Sequence, residues 1–263
     1  ERDDAIGGLL RYGIPDFKLN KKVIDRRLRI FEAEGVEFKV NTEVGKDISG
    51  EELEKTYDSV VLAIGSMQPR DLPVEGRDLK GIHFAMDYLK QQNKVNRGEP
   101  FSPDERIHAK GKKVMVIGGG DTGSDCVGTA HRQRASKVMQ TEIMPKPPVS
   151  RGPDNPWPYW PNMLKVSTSH EEGCERMWSI ATRRFIGENG HLKAVEVADV
   201  DWMQENGRWV MQEKEDTVRT IDVDLVFLSM GFVHPIHKGL VEELGLELDN
   251  RGNVKINGTF STS

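Results

Sequence analysis

The residues with the clearest chemical meaning are the glycines of Gly118-Gly119-Gly120-Asp121-Thr122-Gly123, which directly follow the apolar run 114–117. A strand that enters a glycine-rich turn and then a helix is typical of sites that bind the pyrophosphate of a dinucleotide. Gly118 allows the tight turn, Gly120 lets the backbone approach the phosphates, and Gly123 lets the helix pack close to the strand. The amides and the positive dipole end of the helix then face the phosphate charge.

The elements around this turn complete a strand, turn, helix and strand unit. Residues 124–134 are compatible with a helix, and residues 136–142 read as the next strand. A glycine fingerprint alone is weak evidence, but this context favours a dinucleotide site over a glycine-rich turn that binds nothing. We expect Asp121 to cap the helix, because a carboxylate beside a pyrophosphate is unfavourable unless its oxygens face helix amides.

Glu142 stands at the end of the second strand, where an acidic residue usually binds the adenosine ribose diol. A carboxylate there repels a 2′-phosphate and so favours NADH over NADPH. Arg132, Arg134 and Lys137 lie close in sequence, and one of them could still pair with a phosphate. The alternative is that Glu142 is a solvated strand end.

Composition excludes several classes of protein. The 263 residues carry a formal net charge of −5, and no basic stripe with interleaved aromatic residues is present, so a nucleic-acid partner is not expected. No apolar run approaches twenty residues, so we expect neither membrane insertion nor export. Cys126 and Cys174 lie far apart and in no metal-binding spacing, which is typical of reduced thiols in a cytosolic protein.

The first part of the chain mixes helical and strand patterns. A charged amphipathic helix is predicted over residues 21–34, a strand over 36–40 and a short helix over 51–55. The almost wholly apolar run 59–66 is typical of a buried parallel strand that ends in a tight turn. Pro69 and Pro73 then suggest a crossing between domains.

The second part of the chain surrounds the glycine turn. A helix is predicted near residues 85–93, and the proline-rich segment 144–161 is predicted to be a long loop packed by its aromatic rings. Asn206-Gly207 predicts a hairpin turn, and residues 224–231 predict a further buried strand. Because this strand mirrors the run 59–66, we expect one nucleotide-binding domain inserted into another.

Several segments carry a resemblance to a known family, and they extend over essentially the whole chain. The chain resembles the small (beta) subunit of glutamate synthase and the matching C-terminal region of the fused enzymes. The segments are Gly7–Leu19, Val61–Gly65, Gly118–Gly123, Pro145–Pro148, Asn155–Pro158 and Ser229–Phe232.

The resemblance implies an α/β fold in which a Rossmann-like NAD(P)H-binding domain, 76–229, is inserted in a partial FAD-binding domain, 1–75 and 230–263. It implies an oxidoreductase that passes hydride from NAD(P)H to FAD. Electrons then travel through iron-sulfur clusters to a large (alpha) subunit, which makes glutamate from glutamine and 2-oxoglutarate. No catalytic acid or nucleophile is expected, since the cofactors carry the bond chemistry. The implied flavin contacts are Gly7, Gly8, Leu9, Tyr12, Ala63, Ile64 and Gly65.

Parts of the family pattern are missing. The chain begins at Glu1 without methionine and ends at Ser263, and the first FAD fingerprint, the iron-sulfur cysteines and the late Gly-Asp segment are absent. We therefore expect a piece of a longer polypeptide that alone is inactive and binds NAD(P)H at most. Two alternatives stay open: a related electron-bifurcating or pyrimidine-reducing flavoprotein subunit, and a non-catalytic nucleotide-binding module. His170 is interpreted as a polar loop histidine in preference to a metal ligand or proton relay.

Overall fold

The computed structural model describes all residues, 1–263, and the chain forms two compact units. The first unit consists of residues 1–70 and 231–263, and the second consists of residues 71–230. The second unit is therefore inserted in the first along the chain. No helix is both long and apolar enough to cross a membrane.

Nine strands form two sheets, and all of them belong to the second unit. The strands are β1 (Ile82–Phe84), β2 (Lys113–Ile117), β3 (Lys137–Glu142), β4 (Glu175–Trp178), β5 (Ile180–Glu188), β6 (His191–Glu205), β7 (Arg208–Glu213), β8 (Arg219–Asp222) and β9 (Leu225–Leu228). The first sheet is parallel throughout, in the order β1-β9-β2-β3-β4. The predicted α/β fold with a buried strand near 224–231 is confirmed.

The helices of the chain flank the parallel sheet or belong to the first unit. They are α1 (Gly8–Tyr12), α2 (Lys22–Ala33), α3 (Gly50–Thr56), α4 (Ala85–Asn96), α5 (Asp121–Arg132), α6 (Thr168–Glu171) and α7 (Leu240–Glu243), with one 3₁₀ turn at Glu215–Thr217. The helices predicted near 21–34, 51–55, 85–93 and 124–134 are thus confirmed as α2, α3, α4 and α5.

Alternation along the central strands gives the parallel sheet two buried faces. Val114 and Val116 of β2 pack with α4 and α5, where the rings of Tyr88 and Phe227 stack with centroids 3.9 Å apart. Met115 and Ile117 point the other way and pack against the second sheet. Because both faces are covered, β2 and β9 read as continuous apolar runs.

The second sheet is antiparallel and is built around the long strand β6. Strand β6 pairs with β5, β7 and β8. The turn between β6 and β7 is Asn206-Gly207, with φ of +50° and +77°, as the predicted two-residue hairpin turn requires.

The first unit contains helices and isolated bridges but no sheet. Arg11 of α1 is buried and donates to the Ile6 carbonyl oxygen at 2.5 Å and to Asp25 Oδ1 at 2.6 Å. The Gly50 amide donates to Glu243 Oε2 at 2.9 Å, which joins α3 to α7. Polar contacts therefore carry much of the organisation of this unit.

The strands predicted at 36–40 and 59–66 are wrong. Neither segment is a strand, and the run 59–66 is largely exposed, with Val61 88% exposed. A strand needs a neighbouring strand to satisfy its backbone hydrogen bonds and covering layers to bury its side chains, and no other segment of this unit supplies a ladder. Apolar composition predicted a strand correctly in the second unit because β2 and β9 have such neighbours.

The loop 144–161 is confirmed as irregular, but the prediction that its aromatic rings pack it is wrong. Trp157 is 83% exposed, and Tyr159 and Trp160 are also exposed. The loop is held by polar contacts instead: Arg151 Nη1 donates to the carbonyl oxygens of Asn155 at 3.1 Å and Tyr159 at 3.0 Å.

Candidate functional site

The glycine turn lies at the carboxyl end of β2, where three glycines meet different surroundings. Gly118 has φ of +121°, and a Cβ there would lie 2.2 Å from the Ser229 carbonyl oxygen. A Cβ on Gly123 would lie 2.5 Å from the Gly118 carbonyl oxygen, whereas a Cβ on Gly120 would meet nothing within 4 Å. Packing therefore requires glycine at Gly118 and Gly123, whereas Gly120 leaves open space beside the backbone.

The start of α5 has unused hydrogen-bond donors. Gly120 caps this helix without a side-chain bond, and the amides of residues 120–123 donate to no protein acceptor. The predicted capping by Asp121 is wrong: its side chain makes no cap bond and is exposed at the first helical position. Its charge there still interacts favourably with the positive end of the helix dipole.

A buried hydroxyl also lacks a partner at this turn. Ser229 follows β9 directly, its amide donates to the Ile117 carbonyl oxygen at 2.8 Å, and its Oγ has no hydrogen-bond partner. Buried polar atoms are nearly always paired in native proteins. With the open space at Gly120 and the free amides of α5, these features fit a dinucleotide pyrophosphate.

Glu142 lies beside the glycine turn, as the sequence predicted. Its Oε2 accepts from the Gly119 amide at 2.6 Å, and its Oε1 accepts from the Met144 amide at 3.2 Å. A Cβ on Gly119 would lie 2.6 Å from Oε2, so only glycine permits this approach. The carboxylate is therefore held at the strand end and is not a freely solvated group.

The three basic residues considered for a 2′-phosphate lie elsewhere. Arg132 ends α5, about 16 Å along the helix from the glycine turn, and pairs with Glu172 through bonds of 2.7 and 2.9 Å. Lys137 begins β3 at the opposite end from Glu142 and pairs with Glu175 at 2.7 Å. Arg134 follows α5 in a left-handed conformation. The structure does not bring these side chains to the turn.

Two other cations lie against the side chain of Trp178, a residue that pairs with Glu142 across the sheet. Strand β4 places Trp178 in register with Glu142. Lys146 Nζ lies 5.0 Å from the Trp178 ring centroid, and the Arg176 guanidinium carbon lies 4.9 Å from it. This arrangement could not be predicted from the sequence because it depends on the pairing of β3 with β4, although Lys146 is only four residues beyond Glu142.

Gln140 and His170 also support the turn. Gln140 was not recognised from the sequence, and His170, interpreted there as a polar loop histidine, lies in α6. Gln140 is 2% exposed, its Nε2 donates to the Gly118 carbonyl oxygen at 2.8 Å, and its Oε1 lies 2.8 Å from His170 Nε2. No cluster of three or more potential metal ligands exists in the chain. The His170 side chain bonds to Gln140 and to the Ser167 amide. Residues two apart on a strand share one face of the sheet, so the spacing of Gln140 and Glu142 on β3 could have indicated that both side chains face the turn.

The two cysteines are free and poorly suited to thiolate chemistry. Burial is the main cause that raises the pKa of Cys126 well above its ordinary value, and it raises the pKa of Cys174 to about 11. Thiolate is the reactive form, so neither side chain is an activated thiol.

The residues expected at a flavin lie in the first unit without a sheet behind them. Gly7 precedes α1 with φ of +132°, Gly8 and Leu9 begin this short helix, and Tyr12 is buried and donates to Asp4 Oδ1 at 2.7 Å. Residues 63–65 belong to the exposed run described above, and Leu9 and Ile64 are exposed. The flavin contacts of these residues therefore stay a prediction.

Comparison with known sequences confirms the resemblance to glutamate synthase small chains. The chain is 47% identical over its whole length to the glutamate synthase (NADPH) small chain of Mycobacterium tuberculosis and 40% identical over 99% of its length to that of Bacillus subtilis; it covers 54% of each. It is 44% identical over 97% of its length to the glutamate synthase (NADH) of Schizosaccharomyces pombe, covering 12% of that protein. The chain thus spans about half the length of the two small chains.

Solved structures show the same fold. FprA from Mycobacterium tuberculosis in complex with NADPH has a TM-score of 0.72 at 18% identity, covering 98% of this chain and 67% of FprA. Thioredoxin reductase from T. acidophilum has a TM-score of 0.58 at 16% identity, covering 100% of this chain and 77% of the reductase. Residues 18–263 also match the family model described as pyridine nucleotide-disulphide oxidoreductase. The chain therefore belongs to the pyridine nucleotide-disulphide oxidoreductase family.

Proposed function

We propose that the second unit binds NAD(P)H, with the pyrophosphate at the start of α5. The observation that carries this proposal is the combination of open space at Gly120 with four amides, residues 120–123, that donate to no protein acceptor. Such amides and the helix dipole together stabilise a phosphate charge. Glu142 then accepts hydrogen bonds from the adenosine ribose.

We further propose that the protein works as the small subunit of glutamate synthase. The support is the 40–47% identity to proteins of that name over nearly the whole chain. The proposal includes the family's further components: FAD as electron acceptor, with contacts from the first unit, iron-sulfur clusters, a large-subunit partner and a cytoplasmic location.

The chemistry of this proposal resides in the nicotinamide, which supplies a hydride when it is bound. The protein residues bind and orient the nucleotide, and no side chain is assigned as an acid, base or nucleophile. The raised pKa values of Cys126 and Cys174 agree with this division, because neither thiol is set up to exchange with a disulphide.

A narrower function, nucleotide binding without flavin reduction, is favoured for this chain alone by the absence of a sheet from the first unit. A related electron-bifurcating or pyrimidine-reducing flavoprotein is the remaining alternative. An acceptor assay with the intact protein and its large subunit separates these functions. Glutamate formation supports the glutamate synthase proposal, and NAD(P)H oxidation without glutamate formation contradicts it.

Gly120→Ala tests the nucleotide site. Because the new methyl group meets nothing within 4 Å, we expect unchanged folding and an affinity for NADH and NADPH at least about a hundredfold weaker, since the methyl enters the pyrophosphate space. Isothermal titration calorimetry measures both affinities. Gly258→Ala is the matched control, because that glycine also has open surroundings. Normal binding by Gly120→Ala would contradict the proposed position of the pyrophosphate.

Glu142→Ala tests cofactor choice, for which we propose a preference for NADH. Loss of a charged hydrogen-bond partner is expected to weaken NADH binding by about 1 to 3 kcal/mol, and NADPH binding less, because a repulsive charge is also removed. If NADPH binds more tightly to the unmodified chain, Lys146 and Arg176 become the candidates for the 2′-phosphate. Unchanged NADH affinity in Glu142→Ala would remove the ribose assignment.

A further inference from the structure

The peptide between Gly118 and Gly119 is held from both sides by one strand. Its carbonyl oxygen accepts from Gln140 Nε2 at 2.8 Å, and its N–H donates to Glu142 Oε2 at 2.6 Å. Gln140 and Glu142 are two residues apart on β3, so their side chains lie on the same face of the sheet. Because the peptide is planar, these two bonds together fix its rotation.

The direction of the Gln140 amide is itself determined by His170. The Ser167 amide donates to His170 Nδ1 at 3.2 Å, which makes Nδ1 an acceptor and leaves the proton on Nε2. His170 Nε2 therefore donates to Gln140 Oε1 at 2.8 Å. Gln140 must then present its NH₂ group to the Gly118 carbonyl oxygen, and the reverse orientation would place two acceptors together.

We propose that Gln140 and His170 are positioning residues of the nucleotide site, which orient the Gly118–Gly119 peptide so that its N–H holds Glu142 at the ribose. This inference rests on the proposed NAD(P)H-binding function. A flipped peptide would turn its carbonyl oxygen toward the Glu142 carboxylate, and the partial negative charge would displace that carboxylate. Cofactor discrimination then depends on Gln140 and His170 as well as on Glu142.

Glycine labelling gives a direct test of this orientation. The chain contains only three consecutive glycine pairs: Gly7-Gly8, Gly118-Gly119 and Gly119-Gly120. With glycine labelled by ¹³C at the carbonyl and ¹⁵N at the amide, a carbonyl-correlated NMR spectrum of the 263-residue chain contains three glycine cross-peaks. The Gly118-Gly119 cross-peak reports on the peptide itself, and the Gly7-Gly8 cross-peak is an internal reference.

The first comparison uses Gln140→Met, which retains the length of the side chain and removes its hydrogen bonds. We expect the Gly118-Gly119 cross-peak to move while the Gly7-Gly8 cross-peak stays. Gln133→Met is the matched control, because Gln133 is also buried and accepts from the Ala109 amide at 2.7 Å, at the other end of α5. An unchanged Gly118-Gly119 cross-peak in folded Gln140→Met would overturn the proposal.

The second comparison uses His170, which lies outside the sheet and keeps the test open if Gln140→Met does not fold. His170→Leu should move the Gly118-Gly119 cross-peak. His170→Gln should restore it, because a glutamine amide can also donate to Gln140 Oε1. Equal spectra for these two variants would contradict the proposed hydrogen-bond role of His170, because a purely steric role would not distinguish leucine from glutamine.

Measurements of NADH affinity complete the test. They also distinguish failure of the positioning role from failure of the proposed nucleotide-binding function. Gln140→Met is expected to weaken NADH binding about tenfold, with Gln133→Met unchanged. In a double-mutant cycle with Glu142→Ala, the two losses should not add, since both act through one peptide. Additive losses would contradict the positioning role. If the unmodified chain binds neither NADH nor NADPH, the proposed function fails, whereas the cross-peaks still decide whether Gln140 and His170 orient the peptide.

Discussion

The two units of the chain place similar apolar sequences in opposite environments. Strand β9 of the second unit is completely buried, whereas the run 59–66 of the first unit, nearly as apolar, is largely exposed. The buried apolar side chains of the first unit are few: Tyr12, Ile24, Val241 and Leu246. The second unit contains both large hydrophobic clusters.

The difference lies in pairing and not in composition. Strand β9 pairs with β1 on one edge and β2 on the other, and its two faces pack against helices and against the second sheet. The run 59–66 has no ladder partner. An apolar run thus becomes a core strand only where neighbouring strands and covering layers exist.

The largest expected effect is the loss of stability when a glycine of the second unit, compared with one of the first unit, is replaced by alanine. Gly118→Ala forces a Cβ to within 2.2 Å of the Ser229 carbonyl oxygen at a φ of +121°, so we expect the second unit to lose roughly 3 kcal/mol of stability. Gly8→Ala in the first unit meets open space and should cost only about 1 kcal/mol, because its φ of +46° is left-handed. Chemical denaturation measures both; equal losses would contradict the packing role of Gly118.

An intermediate effect is expected for one substitution made in both environments. Val226 in β9 is completely buried, so Val226→Ala should destabilise the protein by about 2 kcal/mol through lost methyl burial and a residual cavity. Val61→Ala should change stability by less than about 0.5 kcal/mol. Urea titrations compare the two variants, and a large loss at Val61 would show that the run 59–66 is buried in solution.

The smallest effect is a pH dependence in the second unit. Burial, with smaller contributions from the charges of Lys112 and Arg77, lowers the pKa of His83 below its ordinary value of 6.5. The unfolded state therefore binds the proton more readily than the folded state. The stabilisation from keeping His83 neutral is fully present above pH 6.5, and the free energy of unfolding decreases as the pH falls below that value. His83→Gln should reduce this slope in denaturation experiments at several pH values. An unchanged slope would assign the dependence to other groups.

Local sequence determined much of the second unit. The glycine turn, the helix that follows it and the Asn206-Gly207 hairpin depend on backbone conformations within a few residues, and each forms where it was predicted. Glu142 was also placed correctly at the turn, because parallel strands end at the same edge of a sheet. The structure of the first unit was less predictable, since its apolar segments depend on partners that composition cannot specify.

Sequence alone thus determined the strand, turn and helix that form the candidate nucleotide site, because glycine conformation and hydrophobic periodicity are local properties. Only the tertiary structure decided which side chains surround that site. It brought Gln140 and His170 to the turn and paired Trp178 with Glu142, left Arg132 and Lys137 at the opposite ends of their elements, and left Asp121 without a capping bond. The reason is that strand pairing and helix packing join residues far apart in the chain, and no local pattern encodes those distances.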